Sequence, residues 1–464
     1  MEQSLSQPSH RQLIPKERLF ARLRTEIPGP NSRALRAEEA PFLAPGTQSI
    51  SQLSGVAMES GSGALLTDVD GNTYLDFVAG IGVASLGHGH PALQQALAEQ
   101  SAKLTAGSFT TAARVRLLKR IADNAPSPEL CQTQLYSGGA EAVESALRLA
   151  RAYTGKFEIL SFWGAFHGKT AGVLGLMGSE FKHGLGPLAP GQILAPYPDC
   201  YRCPFALSPA SCGLHCVEFT RQTLKMQSTG SLAAIVVEPI QGTAGNVIPP
   251  VGWLGAIQEL ARECGALLIC DEMITGFGRT GQLWGQQHFA ITSDIITFGK
   301  GVGSGFPVSG LLSTKEIAQS DPWSRPSFSS SSYGSGPLAT AAADAVTRVI
   351  VEEKLSDHAA LVGEELRQAL QSLADKYPFV DEVRGKGLLL AFELVRDKKS
   401  RIPLPKSQCE QIFQLCLRRG LLTMSYSPRV RINPPLVITR EQALEGVAIL
   451  DEAFGEFLMH SSAS

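Results

Sequence analysis

The chain has almost no net charge to offer a polyanion: 41 Lys and Arg stand against 43 Asp and Glu in 464 residues, a formal balance of −2. Without a basic field there is no electrostatic footprint for nucleic acid, and no such partner is expected. No uninterrupted run of about eighteen apolar residues occurs, so no membrane partner is expected. The opening residues, Met1-Glu2-Gln3-Ser4-Leu5-Ser6-Gln7-Pro8, show neither the charged region nor the apolar core of a secretory signal, and a cytoplasmic location is the expectation. Nine cysteines are too scattered for a disulfide framework. Four of them cluster as Cys200-x2-Cys203 and Cys212-x3-Cys216 in a Pro/Gly/Ser-rich segment. Reduced loop thiols are expected there, with a zinc ion or disulfides as alternatives, and no metal is assigned. What remains is an ordinary globular composition, 44% hydrophobic and 18% charged, long enough for a large core with a smaller lobe.

Residues 1–45 mix charge with Pro28, Pro30, Pro41 and Pro45 and show no sustained period, so they read as an N-terminal arm lying on something else, such as a partner subunit. Residues 46–104 open with a hairpin over Gly63–Phe77, its turn at Asp70-Gly71-Asn72, followed by Gly80, Gly82, Gly87 and Gly89 with His88 and His90 in packing or capping roles. From 105 to 345, short apolar strands alternate with helical segments, the pattern of a mostly parallel sheet covered by helices. Its clearest strands are Ala233–Val237, Ala266–Cys270 and Ile295–Phe298, each ending in a polar or glycine-rich element. That edge is where open α/β sheets bind ligands. Residues 346–464 return to helices and short strands, at Gly387–Leu394 and Val430–Ile432, with a closing helix from about Arg440. Together with 46–104 they form the smaller lobe.

Lys300 stands apart. It follows the apolar strand Ile295–Phe298 and is set among Gly299, Gly301, Gly303 and Gly305, a pattern that presents one amine at a strand end. A partly desolvated lysine is a nucleophile whose signature product is a Schiff base with an aldehyde such as pyridoxal phosphate. Glycine-flanked lysines are also common in plain turns, so other segments decide. Tyr136-Ser137-Gly138-Gly139-Ala140 opens a helix whose small residues leave backbone N–H groups beside the positive dipole end, a ready phosphate site. Phe166 and His167 sit in a glycine-bounded loop, where an aromatic ring can stack on a flat heterocycle. Asp271 follows directly on an apolar strand, and a carboxylate there can keep a pyridine nitrogen protonated.

These elements together, in this order and approximate spacing from about Pro28 to about residue 455, resemble the class III pyridoxal phosphate aminotransferases. The resemblance implies a fold-type I architecture: a large α/β domain with a mixed, mainly parallel sheet, and a small α+β domain built from both chain ends. It implies pyridoxal 5'-phosphate as cofactor, an amine or amino acid and a keto acid as small-molecule partners, and a homodimer with shared active sites. Lys300 and Asp271 would be catalytic, the first forming the Schiff base and moving the proton, the second pairing with the pyridine nitrogen. Gly139 and Ala140 would meet the phosphate, Phe166 and Met273 would pack the two ring faces, and His167 and Glu238 would lie beside the cofactor. Ser332 would reach the phosphate from the neighbouring subunit.

The departures concern the substrate. Lys169 stands where many members carry an arginine that clamps a carboxylate bidentately; a lysine is only a point charge. Thr243 replaces a glutamate that gates a C-terminal arginine, so Arg431 would be free of its gate. Ile274 replaces a frequent glutamine near the cofactor's phenolic oxygen, and Ala140 lacks the usual hydroxyl. The expected activity is ω-transamination, moving a terminal amino group between an amine or ω-amino acid and an aldehyde or keto acid such as 2-oxoglutarate or pyruvate. Two alternatives stay open: a racemase or aminomutase on the same scaffold, and a cofactor-binding protein without turnover.

Overall fold

The computed structural model describes residues 18–462. The first 17 residues of the expected arm lie outside the described part. The chain forms two compact units, one made of residues up to 81, 87–89 and 361 onwards, the other of residues 82–86 and 90–360. Sequence had placed the divisions at 104/105 and 345/346. The difference has a packing origin: the Pro91–Ser101 and Pro337–Glu352 helices pack on each other, so both belong with the larger unit.

In the smaller unit, β1 (Met58–Ser62), β2 (Leu65–Asp68) and β3 (Thr73–Asp76) form an antiparallel meander. The turn at Asp70-Gly71-Asn72 is where the sequence put it, and Gly71 adopts φ +80°, the left-handed conformation the turn needs. Asp68 organises the hairpin by accepting from Asp70 N, Asn72 N, Asn72 Nδ2 and Tyr74 Oη. The expectation of an aperiodic arm is corrected for its described part. Pro30–Glu39 is a helix, with proline at its first turn, and Asp70 accepts from Asn31 N and Ser32 N at 2.7 and 2.8 Å. This stretch is therefore tied to the chain's own hairpin. His88 pairs with Asp76 at 2.9 Å and His90 caps the Pro91–Ser101 helix through Ala92 N.

The larger unit is organised by a seven-stranded sheet of β4 (Leu130–Tyr136), β5 (Glu158–Phe162), β6 (Gln192–Ala195), β7 (Leu232–Val237), β8 (Leu267–Asp271), β9 (Ile295–Phe298) and β10 (Ser309–Thr314). The order is β4-β10-β9-β8-β7-β5-β6, and only β10 runs antiparallel to its neighbours. Burial shows why these strands read as continuous apolar runs. Leu160, Phe162, Ile235, Val237, Leu268 and Cys270 enter one core with Trp253 and Ile257 of the Trp253–Glu263 helix. The intervening Ile159, Ala234, Val236, Ile269 and Ile295 enter a second core with Val143, Ala146 and Leu147 of the Gly139–Thr154 helix. Successive side chains alternate faces, and with helices on both faces both sets are largely apolar.

The remaining strands, β11 (Val380–Lys386), β12 (Leu389–Leu394), β13 (Leu421–Leu422) and β14 (Arg429–Ile432), belong to the smaller unit. β11, β12 and β14 form an antiparallel sheet, while β13 adds parallel to β3. The closing helix runs Arg440–Ser462. No helix among the described residues is long and apolar enough to cross a membrane. None of the nine cysteines forms a disulfide. Cys200, Cys203, Cys212 and Cys216 line one cavity of about 30 Å³, and no group of three or more His, Cys, Asp or Glu among the described residues is placed to hold a metal.

Leu268 at the centre of β8 is fully buried. Leu268→Ala is expected to cost about 2–5 kcal/mol through lost burial and a residual cavity, lowering the thermal unfolding midpoint. An unchanged midpoint would contradict the packing described.

Candidate active site

Five of the seven strands deliver a polar or glycine-rich element to the carboxyl edge of the parallel set, and there a cavity of about 320 Å³ opens. Its walls include Ser137, Gly139 and Ala140 beyond β4, Phe166, His167 and Gly168 beyond β5, Asp271 and Met273 at β8, and Lys300 beyond β9. Residues more than 160 positions apart are thus brought together because a parallel sheet points all its strand ends the same way.

Lys300 sits at φ +43°, left-handed for a residue with a side chain, and opens a short 3-10 turn, Lys300–Val302. Holding a non-glycine residue there costs of order 1 kcal/mol or more and marks a conformation set by its surroundings. Gly299 is a close approach: a Cβ there would stand 2.7 Å from Met273 Sδ and 3.2 Å from Ser309 Cβ. The backbone just past β9 thus runs close against the Met273 side chain. The loop is further held by Ser304 Oγ, which accepts from Leu86 N at 2.9 Å.

The Gly139–Thr154 helix begins without a side-chain cap on its N-cap residue Gly138. Glu141 Oε2 accepts from Ser137 N and Gly138 N, and Ser309 Oγ donates to Gly138 O at 2.8 Å. The N–H groups of Gly139 and Ala140 find no acceptor among the described residues. Two donors at the positive end of a four-turn helix suit an anion. Gly168 is placed against this start, at φ +126°, where a Cβ would stand 2.4 Å from Ala140 Cβ.

Opposite lies a buried chain of polar groups. Asp271 Oδ2 meets His167 Nδ1 at 2.8 Å, His167 Nε2 meets Ser161 Oγ at 3.0 Å, and Asp271 Oδ1 accepts from Met273 N at 3.1 Å. Burial works to lower the His167 pKa, but the hydrogen bond and charge of Asp271, with the charge of Glu238, outweigh it and raise it. His167 is thereby held toward the cationic form, in which both ring nitrogens donate. Glu238, at the end of β7, accepts from Phe166 N and Gly242 N at 2.9 Å each. Burial, with the Asp271 charge adding to it, lifts its pKa above the ordinary carboxylate range against the opposing pull of His167 and those two N–H groups.

The neighbouring Glu272 turns away from the cavity and accepts from Thr275 Oγ1, Gly285 N and Gln286 N, tying down the loop after β8. Burial lifts its pKa to about 6, against the opposing hydrogen bonds.

Not every residue singled out in the sequence faces the cavity. Lys300, Asp271, Gly139, Ala140, Phe166, His167 and Met273 do. Glu238 stands behind Phe166 rather than on the wall, and Thr243 does not line it. Lys169 does not line it either: its Nζ lies over the Phe181 ring at 4.8 Å and the Phe166 ring at 5.9 Å. Ser332 is exposed in a serine-rich loop and stays off the wall of its own chain's cavity. That loop is pinned to the end of β4 by Tyr136 Oη donating to Ser329 O. Ile274 is buried and packs near Gly82 and Gly242. Arg431 lies on β14 of the smaller unit, opposite Ala391 of β12. The sequence reading passed over Val83, Phe306, Pro307 and Val308, which complete the wall, and Ser161, which closes the polar chain. Ser161 stood only six residues before His167; nothing in the spacing marked Val83.

The cavity offers an amine, an aromatic ring, a buried carboxylate and two unpartnered N–H donors. A flat heterocycle bearing an aldehyde and a phosphate fits that set: the donors suit the phosphate, Phe166 and Met273 the ring, Asp271 a protonated ring nitrogen and Lys300 the aldehyde.

Comparison with known proteins points the same way. The family described as Aminotransferase class-III matches residues 48–454. The diaminobutyrate–2-oxoglutarate aminotransferase of Rhizobium meliloti is 34% identical over 417 residues, covering 86% of this chain and 88% of that protein. An alanine/serine racemase of Pyrococcus horikoshii is 31% identical over 454 residues, covering 95% and 94%. Among solved structures, a thermostable (S)-enantioselective omega-transaminase from Thermomicrobium roseum superimposes with a TM-score of 0.84 at 33% identity, covering 92% of this chain and 98% of that one.

Glu272→Gln is expected to destabilise the fold by about 1–3 kcal/mol, because an amide cannot accept from all three donors. Since the folded-state pKa lies above the ordinary value of 4.5, the glutamate's contribution is fully present below 4.5 and is lost as pH rises through about 6. Unfolding free energies of both proteins from pH 4 to 7 check this: the gap between them should narrow across that window, and a widening gap would contradict it.

Proposed function

The chain belongs to the class-III aminotransferases, enzymes that use pyridoxal phosphate, and from that premise we propose that it is an ω-aminotransferase, moving a terminal amino group between an amine or ω-amino acid and a keto acid such as 2-oxoglutarate or pyruvate. The observation that carries the reading is the convergence of Lys300, Asp271, Phe166 and the unpartnered N–H groups of Gly139 and Ala140 on one cavity.

Bound pyridoxal phosphate supplies an aldehyde that condenses with amines and a pyridinium ring that accepts the electrons of the bond broken at the amine-bearing carbon. Gly139 N and Ala140 N would hold the phosphate, and Ser332 would reach it from a second copy of the chain in a homodimer. Phe166 and Met273 would pack against the ring, offering an aromatic face and a thioether. Asp271 would face the ring nitrogen, and His167 holds the Asp271 carboxylate in place through the 2.8 Å contact. Ser161 fixes the other side of the imidazole. Lys300 Nζ, on the cavity wall, takes a proton from the substrate carbon and returns it. Glu238 orients Phe166 through its backbone N–H.

The substrate preference follows from what the wall lacks. Among the described residues, the wall carries no lysine or arginine apart from Lys300, and Val83, Phe306, Pro307 and Val308 make part of it apolar. That favours donors without a carboxylate beside the reacting amine. Thr243 and Arg431 contribute to substrate binding in this proposal, and a cytoplasmic location is part of it. The racemase relative marks the competing chemistry, a proton returned to the opposite face of the same carbon.

Lys300→Ala is expected to abolish turnover and the visible absorption band of the bound cofactor while leaving the far-ultraviolet circular dichroism spectrum intact; full activity in this variant would overturn the assignment. For the donor, putrescine, 4-aminobutyrate and ornithine would be compared against 2-oxoglutarate and pyruvate. Diamine turnover is expected, and a strong preference for ornithine with none for putrescine would refute the proposed substrate class. Inversion of one amino acid without any keto acid would establish the racemase reading.

A further inference from the structure

We infer that Phe181 is a specificity-determining residue, acting by holding the Lys169 ammonium on an aromatic shelf outside the cavity; the inference rests on the aminotransferase reading of that cavity. Phe166, His167 and Gly168 line the wall, yet the next residue, Lys169, does not. Its Nζ lies over Phe181 at 4.8 Å and over Phe166 at 5.9 Å, and the two rings meet edge to face at 5.9 Å and 85°. The electron-rich ring faces attract the ammonium, and the long apolar stem covers ring surface on the way.

The consequence is electrostatic. A cation released toward the cavity mouth would draw a substrate's distal carboxylate and repel its distal ammonium. Held on Phe181 it does neither with full strength, and an incoming carboxylate must displace the ammonium from two rings before it gains the pair. Phe181 belongs to the short turn Glu180–Lys182 and is 45% exposed, so its contacts with Lys169 and Phe166 are separable from the core of the fold. Nothing in the sequence marked it, because its partners lie 12 and 15 residues upstream.

Phe181→Ala, Phe181→Trp and the double variant Phe181→Ala with Lys169→Gln test the inference. In Phe181→Ala, kcat/KM for 4-aminobutyrate relative to putrescine is expected to rise about two- to five-fold, the factor an exposed cation–ring contact is worth. The Kd of glutarate, a non-reacting dicarboxylate measured by calorimetry, should fall by a similar factor. Phe181→Trp should move both quantities the other way, and the double variant should lose the gain. An unchanged ratio and glutarate Kd in Phe181→Ala, or a gain that persists without Lys169, would overturn the inference alone. Failure of the wild-type enzyme to transfer an amino group from either donor would overturn it together with the aminotransferase reading.

Discussion

A carboxylate taken out of water must be paired and hydrogen-bonded, and at the end of β8 that requirement shapes the surrounding chain. Asp271 is almost fully buried, and its partners come from its own loop, through Met273 N, and from the loop after β5, through His167. Left without partners, a buried carboxylate would carry a large desolvation penalty. With His167 held toward its cationic form by Asp271 and Glu238, the site contains a compact set of compensating charges. Ser161, Phe166 and Gly242 are drawn in as further hydrogen-bonding partners of this set. The loop that presents the Phe166 ring is therefore positioned by the same network that holds the Asp271 carboxylate.

The sheet makes this network possible at moderate cost. Its interior strands are apolar on both faces, so polar groups collect where the strands stop. Glu238, Asp271 and Lys300 all stand within two residues of a strand end. The strain at Lys300, with its positive φ, and the close approach at Gly299 belong to the same edge. Glu272 shows the other use of a strand-end carboxylate: it faces away from the cavity and fastens the Thr275 to Gln286 loop instead of meeting a ligand.

Much of this was legible in the chain itself. A glycine-spaced lysine after an apolar strand, a carboxylate ending another, and a run of small residues opening a helix are local patterns, and all three line one cavity. The hairpin turn at Asp70-Gly71-Asn72 was equally local. What escaped was set by contact at a distance. The Pro91–Ser101 helix joins the larger unit by packing on a helix more than 230 residues later, and no periodicity records that choice. The Pro30–Glu39 helix was obscured by its prolines, although proline in a first helical turn is permitted because that N–H has no partner to lose.

The sequence by itself determined which chemical groups are on offer: Lys300, Asp271 and the Gly139-Ala140 helix start bring an amine, a carboxylate and backbone N–H donors, and each depends only on residue type and its place at the end of a strand or the start of a helix. Tertiary structure alone decided the surroundings in which that chemistry works. Lys169, adjacent to the wall in sequence, is turned onto Phe181 and Phe166, while Val83, Phe306, Pro307 and Val308 close the wall with apolar surface. Side-chain direction and the meeting of distant segments follow from packing in three dimensions, which no local pattern encodes.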